Sequence, residues 1–356
     1  MAQFLLGNCA FFSYICVTES NPYNHRNTTA MKRSEFLRLF GGMLLATQIP
    51  DSLLARVMQS DKPTLELTDV RRITIKVGAT APFKALHISD SHLTRVDERD
   101  NERKKQLAAK RLEYFPQAEQ YLDAAIRYAH KNNLMLLHTG DLTDFVSEAN
   151  LDYVESVLAG TGWYVAAGNH EFSQYVGEAK EDSAYKAQSF DRVQRSFPNN
   201  LTVASRVVNG VNFVAIDNVY YYVTAEQHAA VQREFDKGLP VVLMCHIPFY
   251  TPKHCLHTLI NFKGRSSYMV ATPESVMNEY RSNPDNPVSD RFRNVKVEPM
   301  DKATQEFCDW LKQQKLLKAI ICGHMHEFYQ ENFTPSVIQY TVGGGYDGCA
   351  YEIEFV

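Results

Sequence analysis

Five short stretches of the chain repeat one kind of chemistry. "ISDSH" carries Asp90 and His92, "TGDLTD" Asp141 and Asp144, "AGNHE" Asn169, His170 and Glu171, "MCHIP" His246, and "CGHMH" His324 and His326. Carboxylates and imidazoles are ligands that hold manganese, iron or zinc, and the lack of thiolates among them argues against a closed structural zinc site. Alone, a His-x-His pair is more often two hydrogen-bonded histidines; the recurrence makes the case for metal. The set suits two divalent cations, whose mutual repulsion at about 3.5–4 Å is offset by a shared carboxylate. Asp141 is the natural bridge.

Each stretch follows an apolar run, and these runs predict the elements that must position it. Candidate strands are Arg72–Val77, Phe83–Ser89, Leu134–Gly140, Trp163–Asn169, Val211–Asp217, Pro240–His246, Leu317–Gly323, Ser336–Val342 and Tyr351–Val356. Several are continuously apolar, as strands buried on both faces are. Helical patterns begin at Pro116, Ser147, Thr224 and Asp301, the last three being N-cap residues, with Gly160 and Gly238 where C-caps belong. Strands alternating with helices imply a layered α/β domain, whose sites assemble at the carboxyl ends of the strands. In an extended chain alternate residues share a face, so Asp90 with His92, and His324 with His326, can point the same way.

Two stretches interrupt the alternation: Thr94–Phe115, dense in charge, and the long segment Tyr250–Pro299. Loops of such length are usually functional or disordered.

The chain has 356 residues, of which 45% are hydrophobic, enough for a large core, and a net charge of -4 that gives no footprint for gripping nucleic acid. Residues 1–61 read as a leader. Its segment Met31–Ala55 has a basic start at Lys32 and Arg33 and a short apolar region, the grammar of an export signal, and Met31 is a candidate true start. The segment is similar to a twin-arginine signal, with Ser34 where the second arginine belongs. Export to the periplasm is the expectation, with a cytoplasmic protein bearing an amphipathic N-terminal helix as the alternative. The remainder, residues 62–356, reads as one domain without a transmembrane segment. Beyond the leader five cysteines remain, an odd number without C-x-x-C spacing, so no disulfide framework is expected.

Taken in order, D-x-H, G-D, G-N-H-E, H and G-H-x-H, the five stretches resemble the signature of the calcineurin-like metallophosphoesterase superfamily, without substitution. The resemblance implies a four-layer α/β/β/α sandwich with a dinuclear metal site at the strand C-terminal ends. One metal (Mn, Fe or Zn) would be held by Asp90, His92, Asp141 and His326, and the second by Asp141, Asn169, His246 and His324. The activity implied is hydrolysis of a phosphate ester on a small substrate by a metal-bridging hydroxide. His170 would stabilise the phosphate or protonate the leaving oxygen, and Asp144 would orient its ring.

The arginines that protein serine/threonine phosphatases carry after G-D and G-N-H-E are missing here, and purple acid phosphatases have a tyrosine where Asp144 stands. "HISDSHL" looks more like the cyclic-nucleotide and small-phosphodiester branch, which favours diesters. A phosphomonoesterase, a nuclease and a non-catalytic metal-binding scaffold are the alternatives. The segment 250–299 is read as a cap over the site, with His254, His257 and Tyr268 as substrate contacts; the alternative is a small satellite core around Tyr268. His87 and His138 are read as core histidines and Glu171 as a loop anchor.

Overall fold

The computed structural model describes residues 65–158, 162–176, 183–261, 267–282 and 300–356. The leader, its signal-like segment, Gly160 and much of the segment 250–299 lie outside them.

Two sheets form. The first has the order β1-β11-β2-β3-β4, from β1 (Asp69–Ile75), β11 (Cys349–Phe355), β2 (Phe83–Ile88), β3 (Met135–His138) and β4 (Tyr164–Val165). The second has the order β5-β6-β7-β8-β10-β9, from β5 (Val203–Val208), β6 (Val211–Ile216), β7 (Val241–Met244), β8 (Leu317–Cys322), β10 (Val337–Thr341) and β9 (Tyr329–Thr334). Strands β2, β3 and β4 run parallel, as do β6, β7 and β8. Every one of the five sequence stretches leaves the carboxyl end of one of these parallel strands.

Period-two alternation sorts the side chains into layers. Leu86, Leu136 and Val165 face α2 (Ala118–Lys131), α3 (Glu148–Leu158) and α4 (Ser183–Arg195), packing on Leu122, Ile126, Val154, Val157 and Val193. Their neighbours Ala85, Leu137 and Tyr164 face the other way, onto Phe213, Ala215, Val242, Met244 and Ile321 of the second sheet. The outer face of that sheet presents Val214, Leu243 and Ile320 to Val231 and Phe235 of α5 (Ala225–Phe235) and to Phe307 and Leu311 of α8 (Lys302–Leu311). The result is the α/β/β/α sandwich, and both faces of the central strands are dry, which is why they read as unbroken apolar runs.

The predicted caps form. Ser147 Oγ accepts from Asn150 N at 3.1 Å, Thr224 and Gln227 make a reciprocal capping box, and Asp301 accepts from Thr304 N at 2.8 Å. Gly238, just past α5, takes φ +72°. Strands β5 and β9 were not anticipated. Both are antiparallel edge strands of mixed polarity, "VASRVV" and "YQENFT", without the apolar run that marks a central strand. The charged stretch after Thr94 holds a helix, α1 (Glu102–Leu112), and the segment after Tyr250 holds α6 (Pro252–Asn261) and α7 (Glu274–Ser282).

Phe83, Phe213 and Phe355 lock the two sheets together, with ring centroids 5.1–5.9 Å apart in stacked and edge-on pairs. Truncation of a buried phenylalanine costs about 3–5 kcal/mol. Phe213→Ala is therefore expected to lower the urea unfolding midpoint by a margin of that size; an unchanged midpoint would show that the sheets do not depend on this cluster.

Candidate metal centre

The strand ends turn sharply to aim their side chains at one point. Asp90, His92, Asp141, His324 and His326 all adopt left-handed backbone angles, with φ between +49° and +69°. Such angles are uncommon for residues other than glycine and cluster where function over-determines the backbone. The pairs Asp90/His92 and His324/His326 therefore do not reach the site by extended-chain alternation, as the sequence reading assumed. They reach it through turns, and His324 and His326 diverge to opposite sides of it.

Neighbouring glycines permit these turns. A Cβ on Gly323 would lie 1.9 Å from Ser89 Oγ and 2.5 Å from Asp90 Oδ2, and one on Gly168 would lie 2.3 Å from Asp141 Oδ1. The glycines of G-H-M-H and G-N-H-E are thus required by close approach to the carboxylates.

The donors converge in two groups. His92 Nε2 and His326 Nε2 are 3.1 Å apart, and Asp90 Oδ1 is 3.1 Å from His326 Nε2 and 3.9 Å from His92 Nε2. His246 Nε2 and His324 Nδ1 are 3.3 Å apart, with Asp141 Oδ2 3.1 Å from His246 Nε2. Asp141 Oδ2 also lies 3.9 Å from His92 Nε2, so this oxygen stands between the groups. Asn169 is buried in the loop after β4, one residue before His170.

Hydrogen bonds on the far sides fix which atoms face inward. His246 Nδ1 donates to Thr139 O at 2.7 Å and His92 Nδ1 to Asp144 Oδ1 at 2.9 Å, so that each Nε2 faces the cluster. Asp90 Oδ2 accepts from His324 N at 3.0 Å, while Asp90 Oδ1, fully buried, has no hydrogen-bond partner among the described residues. Buried acceptors are seldom left unsatisfied, and a cation held between this oxygen and the inward-facing imidazole nitrogens would satisfy it. Carboxylate oxygen and imidazole nitrogen are the donors such cations take, so the residues fit two divalent metals.

The electrostatics are those of an anionic pit. Burial raises the carboxyls of Asp90 and Asp141, but His326 and His246 offset it at Asp90, and His246 and His170 at Asp141, holding both below the usual carboxylate range. Burial lowers His246, yet Asp141 and Asp90 hold it up at about 9. His324, buried beside His246, is pushed down to about 3.

His170 opens the short helical turn after β4. Its Nδ1 donates to Asp144 O at 2.7 Å and lies 3.2 Å from Asp144 Oδ1, while Nε2 stands 3.9 Å from Asp141 Oδ2. Glu171 anchors the loop by accepting from Asp141 N, Thr143 N and Gly168 N at 2.7–3.0 Å. His138 Nδ1 accepts from Gly140 N, and its Nε2 bonds Ser91 Oγ; His87 bonds Thr139 Oγ1. Burial pushes both histidines down to about 3, as neutral core imidazoles. Cys245 and Cys322 are buried free thiols.

The segment after Tyr250, expected from the sequence to supply substrate contacts, sets two of its histidines against a carboxylate of the chain. His254 and His257 bond the two oxygens of Glu327 at 3.0 and 2.7 Å, and His254 stacks on Tyr329. They brace the residue after His326 and are not among the converging donors, because their positions on α6 point them at β9. Tyr268 does reach the site, its ring 6.3 Å from that of His324. A satellite core is also present: Cys255, Leu259, Met269 and Met277 enclose Met325, the residue between the two histidines, with Tyr268 packed against it.

Three neighbours were not foreseen. Phe115 stacks on His92 with ring centroids 4.4 Å apart, Tyr346 lies 5.1 Å from His326, and Arg111 holds Asp144. All sit outside the five stretches, and nothing in their local sequence marks them.

The sequence matches the model of the calcineurin-like phosphoesterase family over residues 83–328, from β2 to just beyond His326. The chain belongs to this family. Its fold is an α/β sandwich. Among solved structures, a provisionally assigned 5'-nucleotidase from Staphylococcus aureus aligns with 74% of this chain and 49% of its own at 12% identity, TM-score 0.36. A dimetal phosphatase from Danio rerio aligns over 74% of this chain and 88% of its own at 11% identity, TM-score 0.35. A 5'-nucleotidase from Candida albicans aligns over 80% and 47% at 12% identity, TM-score 0.33. The chain spans about half the length of each nucleotidase. A search of curated proteins finds no significant match.

Cations that bind the folded phosphoesterase and not the unfolded chain stabilise it, by about 2.7 kcal/mol at a free concentration of 100 times Kd. Manganese added to chelator-stripped protein is expected to raise the melting temperature. In Gly323→Ala, where the new Cβ displaces Asp90, the rise should shrink or vanish; an equal rise in both proteins would separate metal binding from this carboxylate.

Proposed function

We propose that this phosphoesterase hydrolyses a small phosphodiester at a dinuclear centre. One cation is assigned to Asp90, His92, Asp141 and His326, and the other to Asp141, Asn169, His246 and His324. The observation that carries the reading is the pair of imidazole groups set against Asp90 and Asp141, with His170 Nε2 on the same side of Asp141. When bound, the cations lower the pKa of water and neutralise phosphoryl oxygens.

The chain's own groups do the rest. The Asp144 backbone carbonyl accepts from His170 Nδ1 at 2.7 Å, with the carboxylate 3.2 Å from the same nitrogen, and so fixes which ring nitrogen faces the cluster. His170 is slightly exposed, 13% at the side chain, and its charged form carries a proton on Nε2 to deliver to the leaving oxygen. Phe115 and Tyr346 wall off His92 from water on one flank, and Tyr268 borders His324 on the other.

The preference for a diester rests on charge. A monoester dianion is commonly gripped by a guanidinium. The loops after G-D and G-N-H-E contain none, and Arg111 is engaged by both oxygens of Asp144.

The full chain reconstituted with manganese is expected to hydrolyse an aryl phosphodiester faster than the matching monoester. His170→Ala should lose about 10²–10⁴-fold in kcat while retaining its metals. Faster monoester turnover would reverse the substrate class; unaltered kcat in the variant would remove His170 from the reaction.

Protons compete with cations for the imidazole lone pairs, so acid favours the metal-free form. In the metal-free site His246 is held up at about 9 by Asp141 and Asp90, so bound manganese, and activity with it, should fall together as pH drops below about 9. Full activity at pH 4 would rule out this ligand set.

A further inference from the structure

We infer that Arg111, at the last turn of α1, is a positioning residue that holds the Asp144 carboxylate in hydrogen-bond reach of His92 and against His170, whose Nδ1 donates to the carbonyl of the same residue. The inference rests on the function proposed above: the role toward His92 on its assignment to a cation alone, and the role in ester hydrolysis on the reaction as well.

The geometry is a fork. Arg111 Nε donates to Asp144 Oδ2 at 2.6 Å and Nη2 to Oδ1 at 2.8 Å. Oδ1 also receives His92 Nδ1 at 2.9 Å and lies 3.2 Å from His170 Nδ1. His170 Nδ1 donates to the Asp144 backbone carbonyl at 2.7 Å, so Oδ1 accepts from His92 while standing against the His170 ring; an oxygen that serves both must keep one place, and its side chain otherwise rotates freely about its last bond. Two parallel N–H bonds from a planar guanidinium fix its plane, which a lysine ammonium cannot do. Asp144 is fully buried, so water does not compete for it.

Helix α1 is built to deliver the fork. Asn101 caps it by accepting from Lys104 N at 2.9 Å, and its amide donates to Tyr175 OH at 3.0 Å. Lys104 Nζ donates to Val146 O at 3.0 Å and also bonds Gln174 O. Those carbonyls belong to the loops that follow Asp144 and His170. Beyond the helix, Phe115 stacks on His92 within 4° of parallel. The charged stretch that looked like a loop thus ties its helix to both residues that Asp144 orients.

Partners that orient metal-bound histidines typically contribute 10–100-fold in affinity or activity. The test uses the full chain with manganese alone as probe, in Arg111→Ala, Arg111→Lys, Asp144→Asn and the double variant Arg111→Ala/Asp144→Asn, with circular dichroism to establish folding. Arg111→Ala and Asp144→Asn are each expected to weaken manganese binding by about 10–100-fold, Arg111→Lys by less, and the double variant no more than the worse single one. Wild-type affinity in folded Arg111→Ala, or losses that multiply in the double variant, would overturn the inference. Should Arg111→Ala fail to fold, Arg111→Lys decides by the same readout, since it keeps the charge and lacks the fork. In the hydrolysis assay, the loss in Arg111→Ala should be greater for an alkyl leaving group than for a nitrophenyl one, at nearly constant KM. An equal loss for both would remove the His170 arm, and an inactive wild type with intact metal linkage would count against the proposed function alone.

Discussion

The structure is organised around groups that repel one another when brought together. Two carboxylates and four imidazole nitrogens, like groups set against like, are held within about hydrogen-bonding distance in a buried pit. Left to itself a chain would spread them apart. They stay together because each is fixed from outside: Thr139 holds His246, Asp144 holds His92, the His324 amide holds Asp90, and Glu171 gathers the three amides beneath Asp141 and Gly168. The stability of the sandwich supplies the restraint, since β2, β3, β4, β7 and β8 are packed on both faces and cannot yield.

This division of labour explains what could be read from the sequence. The central strands were legible because burial on both faces leaves little but apolar residues, and the site was legible because its residues follow those runs directly. The glycines of G-D, G-N-H and G-H-M-H carried information for a physical reason: a Cβ there collides with Asp141 or Asp90 within 2.6 Å or with the adjoining backbone. The edge strands β5 and β9 escaped because one side of each meets solvent. Arg111, Phe115 and Tyr346 escaped because their importance lies in contacts across the fold. Arg111 is one of several basic residues on α1, and only its distance to Asp144 distinguishes it.

The contacts of His254 and His257 were illegible for the same reason. Histidines in a long segment close to a ligand suggest contact with substrate, but type and proximity in sequence do not specify direction. On α6 the two are one turn apart, so both rings fall on the same side and meet one carboxylate, Glu327. That carboxylate directly follows His326.

The loop bearing His324 and His326 is consequently braced through the residues that are not ligands. Met325 enters an apolar cluster with Cys255, Leu259, Met269 and Met277, while Glu327 is held by two histidines of the same helix. Left-handed backbone at both His324 and His326 is costly for residues with side chains, of order 1–3 kcal/mol each. Burying Met325 offsets part of that cost, since a fully buried methionine contributes about 1.5–3 kcal/mol relative to an exposed one. The described part of the segment after Tyr250 therefore acts as a buttress that keeps the strained turn at His324 and His326 in shape. Tyr268 belongs to both arrangements, packing on the buttress and bordering His324, so the support of the loop and the outline of the site share a side chain.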